Sequence, residues 1–414
     1  MATCDDNNLT EQKELQETST QHTPSAENII QQPGDEKIQE DLKTLKAIIS
    51  NQDLPTAVRA LKDFLEKQEQ VELNIAVTGE SGSGKSKFVN AFRGLGDEEM
   101  DSAKTGVVQT TKEPQCYLHP KYKNVKMWDL PGIGTEDFKA EEYHQKVPLN
   151  HYDFFIIVGS ERFRESHIQL AKEIRKIKKK FYFVRTKIDN DMNGERHKKT
   201  FDEEDIQNRI RNNCKDGLKN IGIGASDVFL ISSLQLGKYD FNLLQERLEK
   251  DLPKHKRHVL KLAAPNITEE IIERKKKALG ENIPMVAFLS ASVAAIPFPG
   301  LSFSVDLFII KSEIEKYYTA FDLGDPSMQK FLPNYGKKSW HDWLNSTTLL
   351  SLVSAVSVLA SESTAEYYCS LIPVLGTLVA GGMSYFTVSR ILQKALNELA
   401  ENAKKVLNAE LHSN

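Results

Sequence analysis

Cysteine is scarce in this chain of 414 residues. The four that occur (Cys4, Cys116, Cys214 and Cys369) are far apart and form no C-x-x-C pair. That spacing excludes a disulfide framework and a thiolate zinc site, and it predicts a reducing, cytoplasmic setting. Charge of one sign is also lacking. The formal net charge is −4, so nothing in the balance demands nucleic acid as a partner. The N-terminal stretch has no apolar core of a secretory signal. Residue 2 is Ala rather than Gly, which removes the acceptor for N-myristoylation. The ten histidines show no pair at ligand spacing. Long unbroken apolar runs are missing too. A spanning helix wants about 20 apolar residues in a row, and Pro297, Pro299, Asp306 and Pro373 interrupt the candidates. Buried helices of an all-α region are the better expectation, with membrane insertion as the alternative.

What is present is organised around Ile75-Ala-Val-Thr-Gly79-Glu80-Ser81-Gly82-Ser83-Gly84-Lys85-Ser86. A short apolar run rich in β-branched residues meets a glycine-rich loop, and a helical pattern follows from Lys87. This is G-x-x-x-x-G-K-[ST] between strand and helix, the context that makes the pattern a phosphate site. Glycines let successive backbone N–H groups turn toward phosphate oxygens, and the helix N-terminus adds positive partial charge. Lys85 is expected at the β- and γ-phosphates and Ser86 at a Mg²⁺ ion.

Around this loop the chain falls into four parts. Residues 1–36 are polar and read as a disordered arm. Residues 37–70 carry two amphipathic patterns, with Ile38, Leu42, Leu45, Ile48 and Ile49 in the first and Val58, Leu61, Phe64 and Leu65 in the second. Residues 71–252 alternate strands and helices. Candidate strands are 73–78, 125–130, 154–158, 181–186 and 228–231, with helices over 165–179 and 203–218. That alternation predicts a mostly parallel sheet with helices on both faces and ligands at the carboxyl ends of the strands. Residues 253–414 lose the alternation. Apolar runs at 284–310, 349–360 and 371–386 precede an amphipathic final helix over 389–411. The basic runs Arg175–Lys180 and Arg274–Lys277 read first as solvated faces and second as contacts for anionic lipid.

Three further motifs sit where ligands bind. Trp128-Asp129-Leu130-Pro131-Gly132 ends an apolar strand in a carboxylate that can enter a Mg²⁺ shell. Gly132 can give its N–H to a γ-phosphate. Ile133 and Gly134 follow, so no catalytic glutamine is evident there. Between the two motifs, Lys104-Thr105-Gly106-Val107-Val108-Gln109-Thr110-Thr111 offers a threonine for Mg²⁺, with Thr105 the first choice and Thr111 the second. Arg185-Thr186-Lys187-Ile188-Asp189 closes another strand. A carboxylate at Asp189 can accept two donors from guanine that adenine lacks, and Lys187 can lay its stem along the base. Ser232 and Ser233 end the last strand, where a backbone N–H can meet the guanine carbonyl; a simple turn fits nearly as well.

Together these motifs resemble those of the immunity-related GTPases, the interferon-inducible p47 family. The resemblance also draws on Tyr152–Ile157 and Leu252–Arg257 and spans about residue 37 to the end. It implies a Ras-like P-loop GTPase domain with an all-α domain built from both ends of the chain. It implies GTP hydrolysis to GDP and self-association in the GTP state, with itself and with family GTPases. It further implies peripheral action at intracellular and pathogen-vacuole membranes in cell-autonomous innate defence. Lys85 places the chain with the effector-like Gly-Lys-Ser class. Three features depart from the family pattern: Ser232-Ser233-Leu234 stands for Ser-Asn-Lys, Gln109 for a frequent Glu, and Ala2 for a myristoylation glycine. A GTP/GDP-dependent membrane scaffold or switch with negligible hydrolysis is the alternative reading of the same motifs.

Overall fold

The computed structural model describes residues 71–106, 111, 113–133, 147–219, 228–294, 301–324 and 373–413, with Ala47, Thr56, Arg59 and Ala60. The polar arm, Gln109, Gly134, the apolar run 349–360 and the predicted helices before residue 71, apart from those four positions, lie outside the described residues. The chain divides into two units, Met1–Phe64 and Leu65–Asn414. Every element named below belongs to the second.

In chain order the first part contains β1 (Leu73–Gly79), α1 (Lys85–Phe92), β2 (Gln115–Leu118), β3 (Val125–Asp129), β4 (Phe154–Gly159), α2 (Glu165–Lys176) and β5 (Lys180–Arg185). It continues with α3 (Ile188–Glu195), α4 (Glu203–Lys219), β6 (Val228–Leu230) and α5 (Phe241–Asp251). Six strands form one sheet in the order β2-β3-β1-β4-β5-β6. All pairings are parallel except β2 with β3. The sheet and its five parallel-paired strands match the sequence expectation. The edge strand β2 was not expected. It is four residues long and largely exposed, so it lacks the apolar run by which a strand is read.

β1 is buried at all seven positions, as a central parallel strand covered on both faces must be. Alternate residues feed two cores. Ile75 and Val77 join Phe88 and Phe92 of α1 and Leu244 and Leu248 of α5. Ala76, Phe155 and Ile157 join Leu170 and Ile174 of α2 and Cys214 and Leu218 of α4. The first core does not stop at Leu252. It takes in Val259, Leu260 and Ala263 from α6 (Lys254–Ala263). The expected boundary at 252 thus marks a change of pattern, while apolar packing runs on through α6.

Beyond α6 the second part is helical: α7 (Glu269–Gly280), α8 (Ile283–Ala294), α9 (Leu301–Ala320) and α10 (Pro373–Ser413). α10 unites what the sequence suggested were two segments, 371–386 and 389–411. Pro373 does not break it because it occupies the first helical position, where its missing N–H costs nothing. Val388, Leu392, Ala395, Leu396, Leu399 and Ala403 form its buried stripe, and Lys404 Nζ pairs with Glu273 of α7 at 2.6 Å. Among the described residues no helix is long and apolar enough to cross a membrane.

The basic runs find partners inside the fold. Lys179 Nζ donates to the Tyr152 carbonyl at 2.6 Å, and Lys180 pairs with Asp251 at 2.8 Å. Lys275 is buried and donates to the Ala320 carbonyl at 2.7 Å.

Candidate functional site

The phosphate loop follows from β1 and from three glycines in left-handed backbone. Gly79, Gly82 and Gly84 have φ of 140°, 74° and 90°. At Gly79 no side chain is possible: a Cβ would lie 2.0 Å from the Val158 carbonyl oxygen of β4. Gly84 is the N-cap of α1, so the loop delivers Lys85 and Ser86 to the first turn of that helix. Gly132 closes the other wall, where a Cβ would meet Ser81 N at 2.8 Å and Lys85 Nζ at 3.1 Å. The backbone after β3 runs along the loop, with Ile133 N donating to the Gly79 carbonyl at 2.9 Å.

These walls bound a cleft of about 240 Å³. Ser81, Gly82, Gly84, Lys85, Ser86 and Lys87 line it from the phosphate loop. Thr105, Thr111, Gly132 and Lys187 line it from elsewhere. Lys87 also pairs with Asp97 at 3.0 Å, a cleft residue with no recognisable motif around it.

Lys85 is 7% exposed, and its Nζ donates to the Glu80 carbonyl at 2.9 Å. Burial lowers its pKa, and the nearby Asp129 and Glu80 carboxylates oppose that shift. Asp129, fully buried, shows the converse. Burial raises its pKa, while the Ser86 hydroxyl, Lys85 and the Thr111 hydroxyl lower it. Ser86 Oγ donates to Asp129 Oδ2 at 2.5 Å and Thr111 Oγ1 donates to the same oxygen at 3.0 Å. Asp129 Oδ1 is buried without a hydrogen-bond partner. The unpartnered Oδ1 of Asp129 is a buried acceptor able to take a cation beside the Lys85 amine.

The donor set fits Mg²⁺. It is oxygen-only, as a hard cation requires, and supplies a single carboxylate, as expected where substrate phosphates complete the shell. Among the described residues no group of three His, Cys, Asp or Glu could hold a metal unaided. Of the two switch threonines, Thr111 is buried against Asp129, whereas Thr105 is exposed at the cleft. The sequence ranked Thr105 first; the geometry brings Thr111 to the carboxylate.

The Thr186-Lys187-x-Asp189 motif stands at the other end of the loop. Thr186 Oγ1 donates to the Ser83 carbonyl at 2.6 Å. Lys187 adopts left-handed backbone with φ of 57°, and its Nζ donates to the Gly82 carbonyl at 3.0 Å. Asp189 follows in the first turn of α3, half-buried. Arg185 braces the turn from below by donating to the Thr186 carbonyl at 2.6 Å and to Asp191 at 2.8 Å. Ser232 is buried, and its Oγ accepts the backbone N–H groups of Leu234 and Gln235, each at 3.2 Å. It makes a turn at this strand end, with Ser233 half-buried beside it.

Sequence reasoning missed the residues behind the loop. Ser166 Oγ donates to the Glu80 carboxylate at 2.7 Å, with Arg164 Nη1 3.5 Å and His167 Nε2 3.9 Å from the same group. No spacing rule connects position 80 with position 166.

A family profile described as interferon-inducible GTPase matches residues 38–410. The chain is 39% identical over 380 residues to interferon-inducible GTPase 5 of Bos taurus, covering 89% of this chain and 81% of that protein. It is 37% identical over 382 residues to interferon-gamma-inducible GTPase 10 of Mus musculus, covering 90% and 89% respectively. Interferon-inducible GTPase 1 of Mus musculus is 42% identical over 273 residues, 66% of either chain. The profile takes in the phosphate loop, the strand ending in Asp129 and the turn that carries Asp189: the chain belongs to the interferon-inducible GTPase family, and the reaction it catalyses is the hydrolysis of GTP.

Proposed function

We propose that this GTPase works as a magnesium-dependent, self-assembling enzyme of innate defence that acts at the surface of intracellular membranes. The observation that carries the catalytic part is the meeting of Ser86 and Thr111 on Asp129 beside Lys85. Ser86, Asp129 and Thr111 would hold Mg²⁺, which when bound supplies charge neutralisation at the β- and γ-phosphates. Thr105, exposed at the cleft, is the alternative switch ligand.

The chain's own groups do the rest. Backbone N–H groups of the phosphate loop receive phosphate oxygens. Lys85 leaves the Glu80 carbonyl for the β- and γ-oxygens, which restore the charged form that burial disfavours. Gly132 offers its N–H to the γ-phosphate. Asp189 accepts the two guanine donors, and a base without them would leave its carboxylate unpaired.

Ile133, buried and apolar, stands where a water-orienting polar side chain would be useful. A second copy joined through the nucleotide face would then complete the site, which supports GTP-dependent self-association and association with family GTPases. Peripheral membrane contact rests on the family resemblance alone; a cytoplasmic pool partly bound to endomembranes would follow from it.

The test is GTP hydrolysis per molecule against protein concentration, with Lys85→Ala and Asp189→Ala in parallel. Specific activity that climbs with concentration and is lost in Lys85→Ala supports assembly-driven turnover. A flat rate across the concentration range removes the assembly part of the proposal.

A further inference from the structure

Glu80 is held at both ends. Its backbone carbonyl accepts Lys85 Nζ at 2.9 Å. Its carboxylate crosses to the start of α2, where Oε1 accepts the Ser166 hydroxyl at 2.7 Å. Oε2 lies 3.5 Å from Arg164 Nη1 and 3.9 Å from His167 Nε2.

The orientation of His167 is set independently. The ring is 1% exposed, and its Nδ1 accepts the Arg164 backbone N–H at 3.1 Å. In the neutral ring the proton is therefore on Nε2, the nitrogen that faces Glu80. Phe163 packs tilted and Phe183 edge-on against the imidazole, with centroids at 5.4 and 5.3 Å. Gly159 makes room for it, since a Cβ there would come within 3.2 Å of Nε2.

A carboxylate inside a phosphate loop repels the anion that the loop receives unless its charge is paired and turned aside. We infer that Ser166, Arg164 and His167 are positioning residues for GTP binding and turnover. They hold the Glu80 carboxylate away from the triphosphate, and through the same residue they set the carbonyl on which Lys85 rests. The device acts through Glu80, so none of the three needs to touch the nucleotide. This inference rests on the phosphate-loop reading of residues 79–86.

The experiment compares KM and kcat for GTP, and the dissociation constants of GTP and GDP, for Ser166→Ala, Ser166→Thr and His167→Leu. Each is made in the native chain and in a Glu80→Gln chain. Losing the Ser166 hydrogen bond to the Glu80 carboxylate predicts a KM for GTP raised on the order of tenfold in Ser166→Ala, and removing the imidazole 3.9 Å away predicts a smaller rise in His167→Leu. GDP affinity falls less, and Ser166→Thr, which keeps the hydroxyl, restores the native value. In the Glu80→Gln chain the charge is gone, and the same substitutions change KM by less than about twofold.

Equal losses in both backgrounds, or equal losses for GTP and GDP, overturn the inference. If His167→Leu fails to fold, the Ser166 pair decides alone, because that side chain is only half-buried. Lys85→Ala serves as the separate control. Turnover surviving in that variant would mean that the phosphate-loop reading has failed, whatever Ser166 does.

Discussion

The hydroxyl of Thr186 donates to the carbonyl of Ser83 at 2.6 Å, across 103 positions of sequence. This bond joins the end of β5 to the middle of the phosphate loop. With Lys187 Nζ on the Gly82 carbonyl at 3.0 Å, it ties the base-reading turn to the phosphate-reading one. The two turns are thus fixed relative to each other by their own contacts, and a ligand that spans both would meet a preorganised pair.

Thr186→Val keeps the shape and removes the donor. It should weaken binding of both GTP and GDP and destabilise the chain by about 1–3 kcal/mol, the range for a buried polar group left unpaired. Urea unfolding and nucleotide titration measure the two effects. Unchanged values in both would mean that the two turns are held by other contacts.

Thr111→Ala should reduce the GTP hydrolysis rate by about tenfold or more, as expected for groups that orient a metal ligand. Thr105→Ala should cost less, because Thr105 is exposed while Thr111 is bonded to Asp129. Turnover rates across a Mg²⁺ titration compare them; the reverse ranking would return the role to Thr105.

Asp129→Asn should abolish turnover and yet raise the melting temperature of the nucleotide-free chain at pH 7. The native carboxyl has a folded-state pKa raised by burial above its usual 3.8. The unfolded chain therefore gives up this proton more readily, and stability falls as pH rises from 3.8 through the folded value. The variant lacks that penalty. Its advantage should be full above the folded pKa and should shrink as pH falls toward 3.8. Thermal melts from pH 4 to 8 provide the check, and an Asn variant that melts lower throughout would contradict it.

His119 should make the fold acid-sensitive. It is buried in the turn joining β2 and β3, where its Nδ1 accepts the N–H groups of Lys121 and Tyr122 at 3.3 and 3.2 Å. Burial first, then Lys275 and Lys121, depress its pKa from 6.5 to about 3. In the unfolded chain it binds a proton below 6.5, so stability should fall progressively as pH drops from 6.5 toward 3. His119→Asn keeps a short acceptor without the titration and should flatten that part of the stability curve in urea melts.

Much of this architecture is legible in the sequence. β1 with its glycine loop, the strand ending in Asp129 and the Thr186–Asp189 turn are local signals. Each joins a period-2 or fully apolar run to residues whose backbone or side-chain chemistry has few alternative uses. The edge strand β2 was not legible, because four largely exposed residues carry no burial pattern. The continuity of α10 through residues 373–413 is hidden by a change from apolar to amphipathic composition, which suggests two segments where one helix runs.

What the sequence by itself determined is the set of local motifs and their order along a parallel sheet: a glycine-rich loop ending in Lys85 and Ser86, a strand ending in Asp129, and a strand followed by the Thr186–Asp189 turn. Tertiary structure decided which of two threonines reaches Asp129 and that Ser232 makes a turn. It also decided that Glu80 answers to Ser166 and His167 of α2. Those outcomes depend on side-chain direction and on contacts between residues tens of positions apart. A string of residues holds no distance between such pairs until the β-strands align them.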